Sequence, residues 1–342
     1  MDSDATHDAI AAPFAWSGRT DGTGPEHRRW HQAVTTGSDT ADAGVALVGF
    51  ASDEGVRRNQ GRPGAAAGPD ALRRALAPLA LHTDVPIVDT GTVTVEGQDL
   101  ETAQHRLGDH VARALDAHEL VIVLGGGHET AWGSYQGRVR SARLGGTERA
   151  DRRTGVLNLD AHFDLRAAPA PSSGTPFRQM ADADRAAGRG FRYTVLGISE
   201  ASNTAALFAT ADELGVRYLT DEQCTPSTLP DVLAVVDEVL ADVDDLHLSI
   251  DLDVLPAAVA PGVSAPAGYG VPLEVVHAVC RRVAASGKLA LVDVVELLPA
   301  LDVDQRTART AARLITTLVH EAAGARHGRP GDAARRRVEA PK

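Results

Sequence analysis

The stretch VLNLDAHFDLR, from Val156 to Arg166, dominates the chemistry of this sequence. Its first four residues form an apolar run that is typical of a short buried strand. If the backbone stays extended, Asp160, His162 and Asp164 point to one face, because successive side chains of a strand alternate. Two buried carboxylates beside an imidazole need a compensating charge, and a divalent metal ion supplies one. The alternative is a solvated turn in which Asp160 caps a helix.

Two further apolar runs also end in side chains that bind metals. Leu246 to Ile250 leads into two aspartates, and Leu120 to Leu124 leads into three glycines and a histidine. Sites in parallel α/β sheets form outside the carboxyl ends of the strands, so these ends are expected to meet. A ligand set of carboxylates and imidazoles without thiolate favours Mn²⁺ over structural zinc, and six ligands suit two ions about 3.5–4 Å apart. The predicted ligands are His128, Asp160, His162, Asp164, Asp251 and Asp253.

The glycines at 125–127 also allow a phosphate-binding interpretation, because glycine-rich turns between a strand and a helix bind phosphates. The sequence here has neither the GxGxxG spacing nor a Gly-Lys-Ser/Thr. We therefore interpret the glycines as a sharp turn that brings His128 to the metal.

The ordered motifs resemble those of the ureohydrolases, the superfamily of arginase, agmatinase and formimidoylglutamase. GGGHE at 125–129, DAHFDLR at 160–166 and SIDLDVL at 249–255 are similar to its three metal-binding signatures, in the same order. The resemblance extends through GPDALR at 68–73 and DVVEL at 293–297. It implies an arginase-like fold that binds two Mn²⁺ per subunit and assembles into trimers or hexamers.

The resemblance also implies a reaction. Hydroxide shared by the two ions attacks a planar amidine-type carbon, and a C–N bond then breaks. By this resemblance Asp164 takes the proton from the shared water, and Glu296 holds the cationic amidine or guanidine group through charge-assisted hydrogen bonds.

Three segments are similar to formimidoylglutamase in particular. They are residues 53–65, residues 172–177, and the run after Asp253, which continues Val254-Leu255-Pro256 where arginases and agmatinases commonly have Asp-Pro. This similarity predicts hydrolysis of N-formimidoyl-L-glutamate to L-glutamate and formamide, a late step of histidine degradation. The alternative enzyme is an agmatinase or guanidino-acid ureohydrolase that releases urea. The alternative outside enzymes is a non-catalytic metal-binding scaffold.

The predicted substrate carries two carboxylates, so guanidinium, amide and hydroxyl donors are expected around it. For each arginine, a surface salt bridge is the alternative to a substrate contact. Arg166, two residues after Asp164, is predicted to pair with the acidic cluster instead. The predicted substrate contacts are Arg57, Asn59, Arg62, Ser173 and Thr175, together with Glu296.

Strand-like and helix-like segments alternate along most of the chain, which predicts an α/β fold. We expect three layers, αβα, with a mainly parallel sheet and helices on both faces. The predicted helices lie near residues 68–79, 99–118, 132–139, 203–213, 229–241, 272–286 and 304–320. One catalytic domain is expected over residues 43–323, between a loosely ordered N-terminal arm (1–42) and a disordered tail (324–342).

The composition limits the possible partners. A net charge of −12 spread over 342 residues argues against nucleic-acid binding. The acidic N-terminus does not resemble a signal peptide, and no apolar run approaches the ~20 residues that span a bilayer. Two cysteines, Cys224 and Cys280, do not make a disulfide framework. We therefore expect a cytoplasmic enzyme that acts on a small molecule, with no nucleic-acid or membrane partner.

Overall fold

The computed structural model describes residues 10–11, 14–37, 44–145 and 152–326. Within these ranges ten strands form one sheet. The strands are β1 (Ile10–Ala11), β2 (Val34–Thr36), β3 (Val45–Ala51), β4 (Ile87–Thr94), β5 (Leu120–Leu124), β6 (Thr154–Leu159), β7 (Tyr193–Ile198), β8 (Arg217–Thr220), β9 (Asp245–Asp251) and β10 (Leu289–Val295).

The strand order is β1-β4-β3-β5-β10-β9-β6-β7-β8, and β2 also pairs with β4. The β1–β4 pair is antiparallel, and the other described pairs are parallel. The chain builds one half of the sheet up to β5, crosses to β6 for the other half, and returns through β9 and β10 to fill the gap. As a result, β5, β10, β9 and β6 are neighbours at the centre.

Helices cover both faces of the sheet. They are α1 (Trp30–Ala33), α2 (Glu54–Arg58), α3 (Gly68–Leu76), α4 (Leu100–Ala117), α5 (Thr130–Arg140), α6 (Pro176–Ala186), α7 (Ala205–Glu213), α8 (Leu229–Asp242), α9 (Leu273–Ala284) and α10 (Arg306–Arg326). None of the described helices is long and apolar enough to cross a membrane.

Side-chain alternation along the strands divides the core into layers. In β5, Leu120, Ile122 and Leu124 pack with α3, α8, α9 and α10, whereas Val121 and Val123 pack with α4 on the opposite face. Helices α5, α6 and α7 share that second face beside β6 and β7. All five β5 side chains are fully buried. The predicted three-layer α/β architecture is therefore confirmed.

Helix α6 is absent from the predicted helices. Pro176 occupies a favourable position in its first turn, and Phe177, Met180 and Ala181 are buried at helical spacing. This apolar pattern is short, and two predicted substrate contacts, Ser173 and Thr175, lie in the loop directly before it. The helix matters because it anchors one side of that loop.

The N-terminal residues 14–37 pack along β4. Trp30 is fully buried in the core on the α3 face, and the Trp16 indole donates a hydrogen bond to Asp89 Oδ2 at 2.9 Å. At the other end, α10 continues to Arg326. The predicted tail begins at residue 324, so helix α10 includes its first three residues. The remaining residues of the predicted arm and tail lie outside the described residues, and their predicted order stays a prediction.

Candidate metal centre

The candidate site lies at the carboxyl ends of the four central strands. His128 follows β5, Glu296 follows β10, Asp251 ends β9, and Asp160 follows β6. Because these strands are direct neighbours, the side chains that leave their ends converge without any long loop.

Two short turns of the same kind present the aspartates. Asp160 Oδ1 accepts a hydrogen bond from the His162 N–H at 2.6 Å, and Asp251 Oδ1 accepts one from the Asp253 N–H at 2.8 Å. Each first aspartate thus uses one oxygen to close its own turn. Strand alternation is therefore the wrong explanation for residues 160–164, because β6 already ends at Leu159. The side chains converge through a turn.

The second oxygen of each turn aspartate faces His128. The Nδ1 atom of His128 lies 3.0 Å from Asp160 Oδ2, 3.1 Å from Asp164 Oδ2 and 3.1 Å from Asp251 Oδ2. It is buried and makes no well-directed hydrogen bond to any of them. A ring nitrogen surrounded by three carboxylate oxygens in this way matches a shared ligand set for a cation.

A second group lies beside the first. His162 Nδ1 is 3.0 Å from Asp253 Oδ2 and 3.5 Å from Asp160 Oδ1. Donor atoms of Asp160, His162 and Asp253 lie within 4.8 Å of one another, as do those of His128, Asp160 and Asp164. Asp160 belongs to both groups, as a carboxylate that bridges two ions would.

The electrostatics of the cluster are those of uncompensated negative charge. Burial raises the pKa of Asp251 well above its usual range, and the charges of Asp253 and Asp160 add to this effect. Burial, followed by the charge of Asp160, likewise raises the pKa of Asp164. Burial opposes the protonation of His128, but the surrounding carboxylates outweigh it and raise the pKa of that imidazole. Oxygen and nitrogen donors with excess negative charge fit divalent cations such as Mn²⁺.

Neighbouring polar groups orient the candidate ligands. His128 Nε2 lies 3.0 Å from Ser249 Oγ, which leaves Nδ1 facing the carboxylates. The Asn158 amide donates to Asp160 Oδ2 at 2.9 Å and to the Tyr193 hydroxyl at 3.0 Å. Such contacts fix the rings and carboxylates that bind metals. Neither Ser249 nor Asn158 is among the residues predicted from the sequence, although each lies two residues before an aspartate of a ligand motif.

Glu296 lies beside the cluster in a strained conformation. Its φ angle is +67°, in the left-handed region that non-glycine residues rarely adopt. Its Oε1 accepts a hydrogen bond from the His128 N–H at 2.8 Å, and the residue is buried. Burial, together with the charge of Glu129, raises the pKa of Glu296 to about 8. A cationic group placed against this carboxylate would remove that penalty.

Protein groups engage two of the arginines that were predicted to contact substrate. Arg57 Nε donates to Glu54 Oε2 at 2.8 Å. Arg62 donates to the carbonyls of Val263 and Ser264, each at 2.8 Å. For Arg57 the structure therefore shows the salt bridge that was its alternative, and for Arg62 it shows a brace between two loops.

The amide and hydroxyl side chains that were predicted to contact substrate lie close together. The Asn59 amide donates to Ser173 Oγ at 3.1 Å, while its Oδ1 accepts from Arg166. The Thr175 hydroxyl is enclosed in the turn before α6, where it donates to the Ser172 carbonyl at 3.0 Å. The prediction that Arg166 pairs with the acidic cluster is wrong, because its exposed guanidinium contacts Asn59. None of the described ion pairs includes Arg166.

Comparison with known proteins agrees with this geometry. The model of the arginase family matches residues 43–320. The formimidoylglutamase of Nocardia farcinica is 60% identical over 306 residues, which cover 89% of this chain and 95% of that protein. The formimidoylglutamase of Rhodococcus jostii is 57% identical over 311 residues, 91% of this chain and 96% of that protein.

Solved structures show the same fold. Formimidoylglutamase from Bacillus subtilis matches with a TM-score of 0.77 at 23% identity, over 90% of this chain and 94% of that one. A variant of Trypanosoma cruzi formiminoglutamase, solved with two Mn²⁺, matches with a TM-score of 0.72 at 25% identity, over 85% and 96% of the two chains. The chain belongs to the arginase family.

Proposed function

We propose that this protein hydrolyses N-formimidoyl-L-glutamate to L-glutamate and formamide, a step of histidine degradation. The observation that carries the proposal is 60% identity to a formimidoylglutamase across 89% of the chain. The site supports it, since its acidic cluster and Glu296 suit a reaction that needs divalent metal and a cationic amidine.

Two Mn²⁺ are the proposed cofactors. The group around His128 would hold one ion and the group around His162 the other, and Asp160 belongs to both groups. The proposed ligands are His128, Asp160, His162, Asp164, Asp251 and Asp253. When bound, the two ions act as Lewis acids and make water nucleophilic near neutral pH.

The remaining steps use side chains of this chain. Glu296 accepts hydrogen bonds from the N–H groups of the amidine and holds its planar carbon over the cluster. The hydrogen bond from the His128 N–H fixes the orientation of the Glu296 carboxylate. Asp164, whose backbone is also in the left-handed region at φ +49°, takes up the proton released from water on its carboxylate. The balance closes when this proton passes to the glutamate nitrogen as its bond to the formimidoyl carbon breaks, which releases L-glutamate and leaves formamide.

The substrate carboxylates are proposed to bind at the cluster of Asn59, Ser173 and Arg166. Arg166 is exposed and has no carboxylate partner among the described ion pairs. Its Nη1 donates to Asn59 Oδ1, and its remaining N–H groups can form a bidentate contact with a carboxylate. Asn59 and Ser173 supply amide and hydroxyl donors beside it. Arg57 and Arg62 are secondary candidates, because binding substrate requires them to exchange the partners described above.

The test is a product assay on the Mn²⁺-loaded protein with N-formimidoyl-L-glutamate, agmatine, arginine and 4-guanidinobutyrate in parallel. Glutamate and formamide from the first substrate alone are expected. Urea from any of the others would contradict the substrate assignment and favour the agmatinase or guanidino-acid alternative. Stoichiometric metal without turnover of any of the four would favour a binding scaffold.

We also propose that the enzyme is a cytoplasmic homo-oligomer. Cys224 and Cys280 are buried free thiols, as suits a reducing compartment. The proposal of a trimer or hexamer is based on the family resemblance alone. Light scattering measures the molar mass of the purified protein and so tests its oligomeric state.

A further inference from the structure

The turn from Asp160 to Asp164 carries three of the six proposed ligands. It begins where β6 ends, at Leu159, and contains Asp164 at φ +49°. A non-glycine residue in that region costs about 1–3 kcal/mol and persists only where the surroundings hold it. The turn therefore needs contacts from outside itself to keep its ligands in place.

One side chain provides such contacts on both sides of His162. The buried Asn203 precedes α7, and its Oδ1 accepts a hydrogen bond from the Phe163 N–H at 3.1 Å. Its Nδ2 donates to the Ala161 carbonyl at 2.9 Å. A further hydrogen bond from Nδ2, to the Ser199 carbonyl at 2.8 Å, fixes the amide itself.

These contacts go to backbone atoms of the turn and not to the ligand side chains. The amide pairs with the residue before His162 and the residue after it, so it sets the spacing of Asp160, His162 and Asp164. Without the amide, the buried Phe163 N–H loses its hydrogen-bond acceptor, which costs about 1–3 kcal/mol and gives the turn a reason to rearrange. The Ala161 carbonyl keeps a second hydrogen bond, from the Ser199 N–H at 3.0 Å.

We infer that Asn203 is a positioning residue for the metal centre, and that it holds the turn in the conformation that binds two Mn²⁺. This inference rests on the two-metal site of the proposed function. Groups that orient metal ligands typically change metal affinity 10- to 100-fold when they are removed.

An isosteric substitution distinguishes the positioning role of Asn203 from an effect of packing and from an effect of charge. Asn203→Asp keeps the shape of the side chain and one acceptor oxygen, but at pH 8 it loses the hydrogen bonds that Nδ2 donates to the Ala161 and Ser199 carbonyls. The added negative charge on its own would attract cations and tighten Mn²⁺ binding. Loss of the hydrogen bonds predicts the opposite, weaker binding, so the sign of the change decides.

The experiment titrates metal-free protein with Mn²⁺ at pH 8 and measures free Mn²⁺ by electron paramagnetic resonance. The wild type is expected to bind two ions, and its low-temperature spectrum to show a coupled pair. Asn203→Ala and Asn203→Asp are expected to bind Mn²⁺ roughly 10- to 100-fold more weakly and to lose the spectrum of the pair.

The matched control is Gln223→Ala. Gln223 also uses its amide oxygen to accept a backbone hydrogen bond in a turn, from the Thr220 N–H at 2.9 Å, but that turn follows β8. Its Mn²⁺ affinity is expected to equal that of the wild type. Circular dichroism shows which variants are folded, and Asn203→Asp serves if the alanine variant is not.

Wild-type Mn²⁺ affinity in a folded Asn203 variant would overturn the inference, as would tighter binding by Asn203→Asp. If the wild type itself binds fewer than two ions, the two-metal site of the proposed function fails, and the inference fails with it. The wild-type titration thus distinguishes the two failures.

Discussion

Two clusters of buried charge lie in the same sheet and are built in opposite ways. Near the β4 edge, the Arg73 guanidinium makes two hydrogen bonds to Asp89, at 2.8 and 2.9 Å, and both side chains are at most 1% exposed. Trp16 and the Gly91 N–H donate to the same carboxylate. At the carboxyl ends of the central strands, four aspartates face two imidazoles, and no described ion pair joins them to an arginine or lysine.

The difference indicates which cluster is structural and which is functional. A buried charge that protein groups fully compensate holds elements together, as Asp89 joins α3, β4 and the N-terminal segment. A buried cluster with excess charge of one sign costs folding free energy and is expected where a ligand of opposite charge binds. Substitutions in the two clusters should therefore affect different properties.

The largest effect is expected from Asp251→Ala. This change removes a proposed ligand, so the amount of bound Mn²⁺ should fall. The value of kcat/KM should also fall, by about 10³-fold or more, because several kcal/mol of transition-state stabilisation depend on the metal. The variant should stay folded, since one carboxylate fewer relieves repulsion. Metal analysis and steady-state kinetics test this, and a fully active variant would contradict the metal assignment.

Asp89→Ala should act on stability instead. It leaves the Arg73 guanidinium buried without its partner, which is expected to lower the free energy of unfolding by about 3–5 kcal/mol. Mn²⁺ bound per folded molecule should not change. Asp70→Ala is the control, because Asp70 approaches the same arginine at 3.4 Å but its side chain is 57% exposed, and its effect should be small. Equal effects in urea denaturation would refute the distinction.

Glu296→Gln tests an uncompensated carboxylate beside the cluster. The neutral amide keeps the shape but loses charge-assisted hydrogen bonds worth about 1.5–3 kcal/mol, so kcat/KM should fall about 10²-fold with both Mn²⁺ retained. Metal content and kinetics are measured on the same sample. Retained turnover would remove Glu296 from the mechanism.

His110 tests a buried titratable group near the compensated cluster. It lies on α4, and its Nε2 is 2.8 Å from the hydroxyl of Thr90, the residue after Asp89. Burial, followed by the charge of Arg113, lowers the pKa of His110 to about 4. The unfolded chain binds this proton near pH 6.5 and the folded chain only near pH 4, so stability is lost as pH falls between those values. Between pH 7.5 and 5 the wild type should lose about 2 kcal/mol more than His110→Gln. Urea denaturation measures this difference. If the wild type and His110→Gln lose the same free energy of unfolding between pH 7.5 and 5, the prediction is contradicted.

The smallest effect is expected at the mouth of the site. Arg166→Ala should raise KM for N-formimidoyl-L-glutamate about tenfold with little change in kcat. The reason is that a guanidinium–carboxylate contact stabilises the bound substrate and the transition state equally. Arg57→Ala is the control, since Glu54 already engages that guanidinium. A larger rise in KM for Arg57→Ala would reverse the assignment of the carboxylate site.

Much of the fold was predictable because buried parallel strands are short apolar runs. The run from Leu120 to Leu124 is fully apolar and matches β5 in both bounds. Helix boundaries were less predictable. The helix predicted from residue 203 begins at Ala205, and this small shift leaves Asn203 outside the helix, where its amide reaches the turn after β6.

The candidate site was predictable as a set of residues but not as a geometry. Strand ends that carry Asp and His were visible in sequence, whereas the turns that present them were not, since alternation stops where a strand ends. Arg166 illustrates the limit. Its proximity in sequence to Asp164 suggested a partner in the cluster, but the direction of a side chain in a loop depends on long-range contacts such as Asn59.

The pairing of β1 and β2 with β4 has a consequence for association between molecules. Together they cover the outer edge of an eight-residue strand whose Ile87, Val88 and Val93 are buried. An uncovered edge of that length and composition offers its backbone hydrogen-bonding groups to any other strand. At the opposite edge β8 has only four residues and begins with Arg217. Removal of residues 1–37 is therefore expected to turn a protected edge into a site of aggregation.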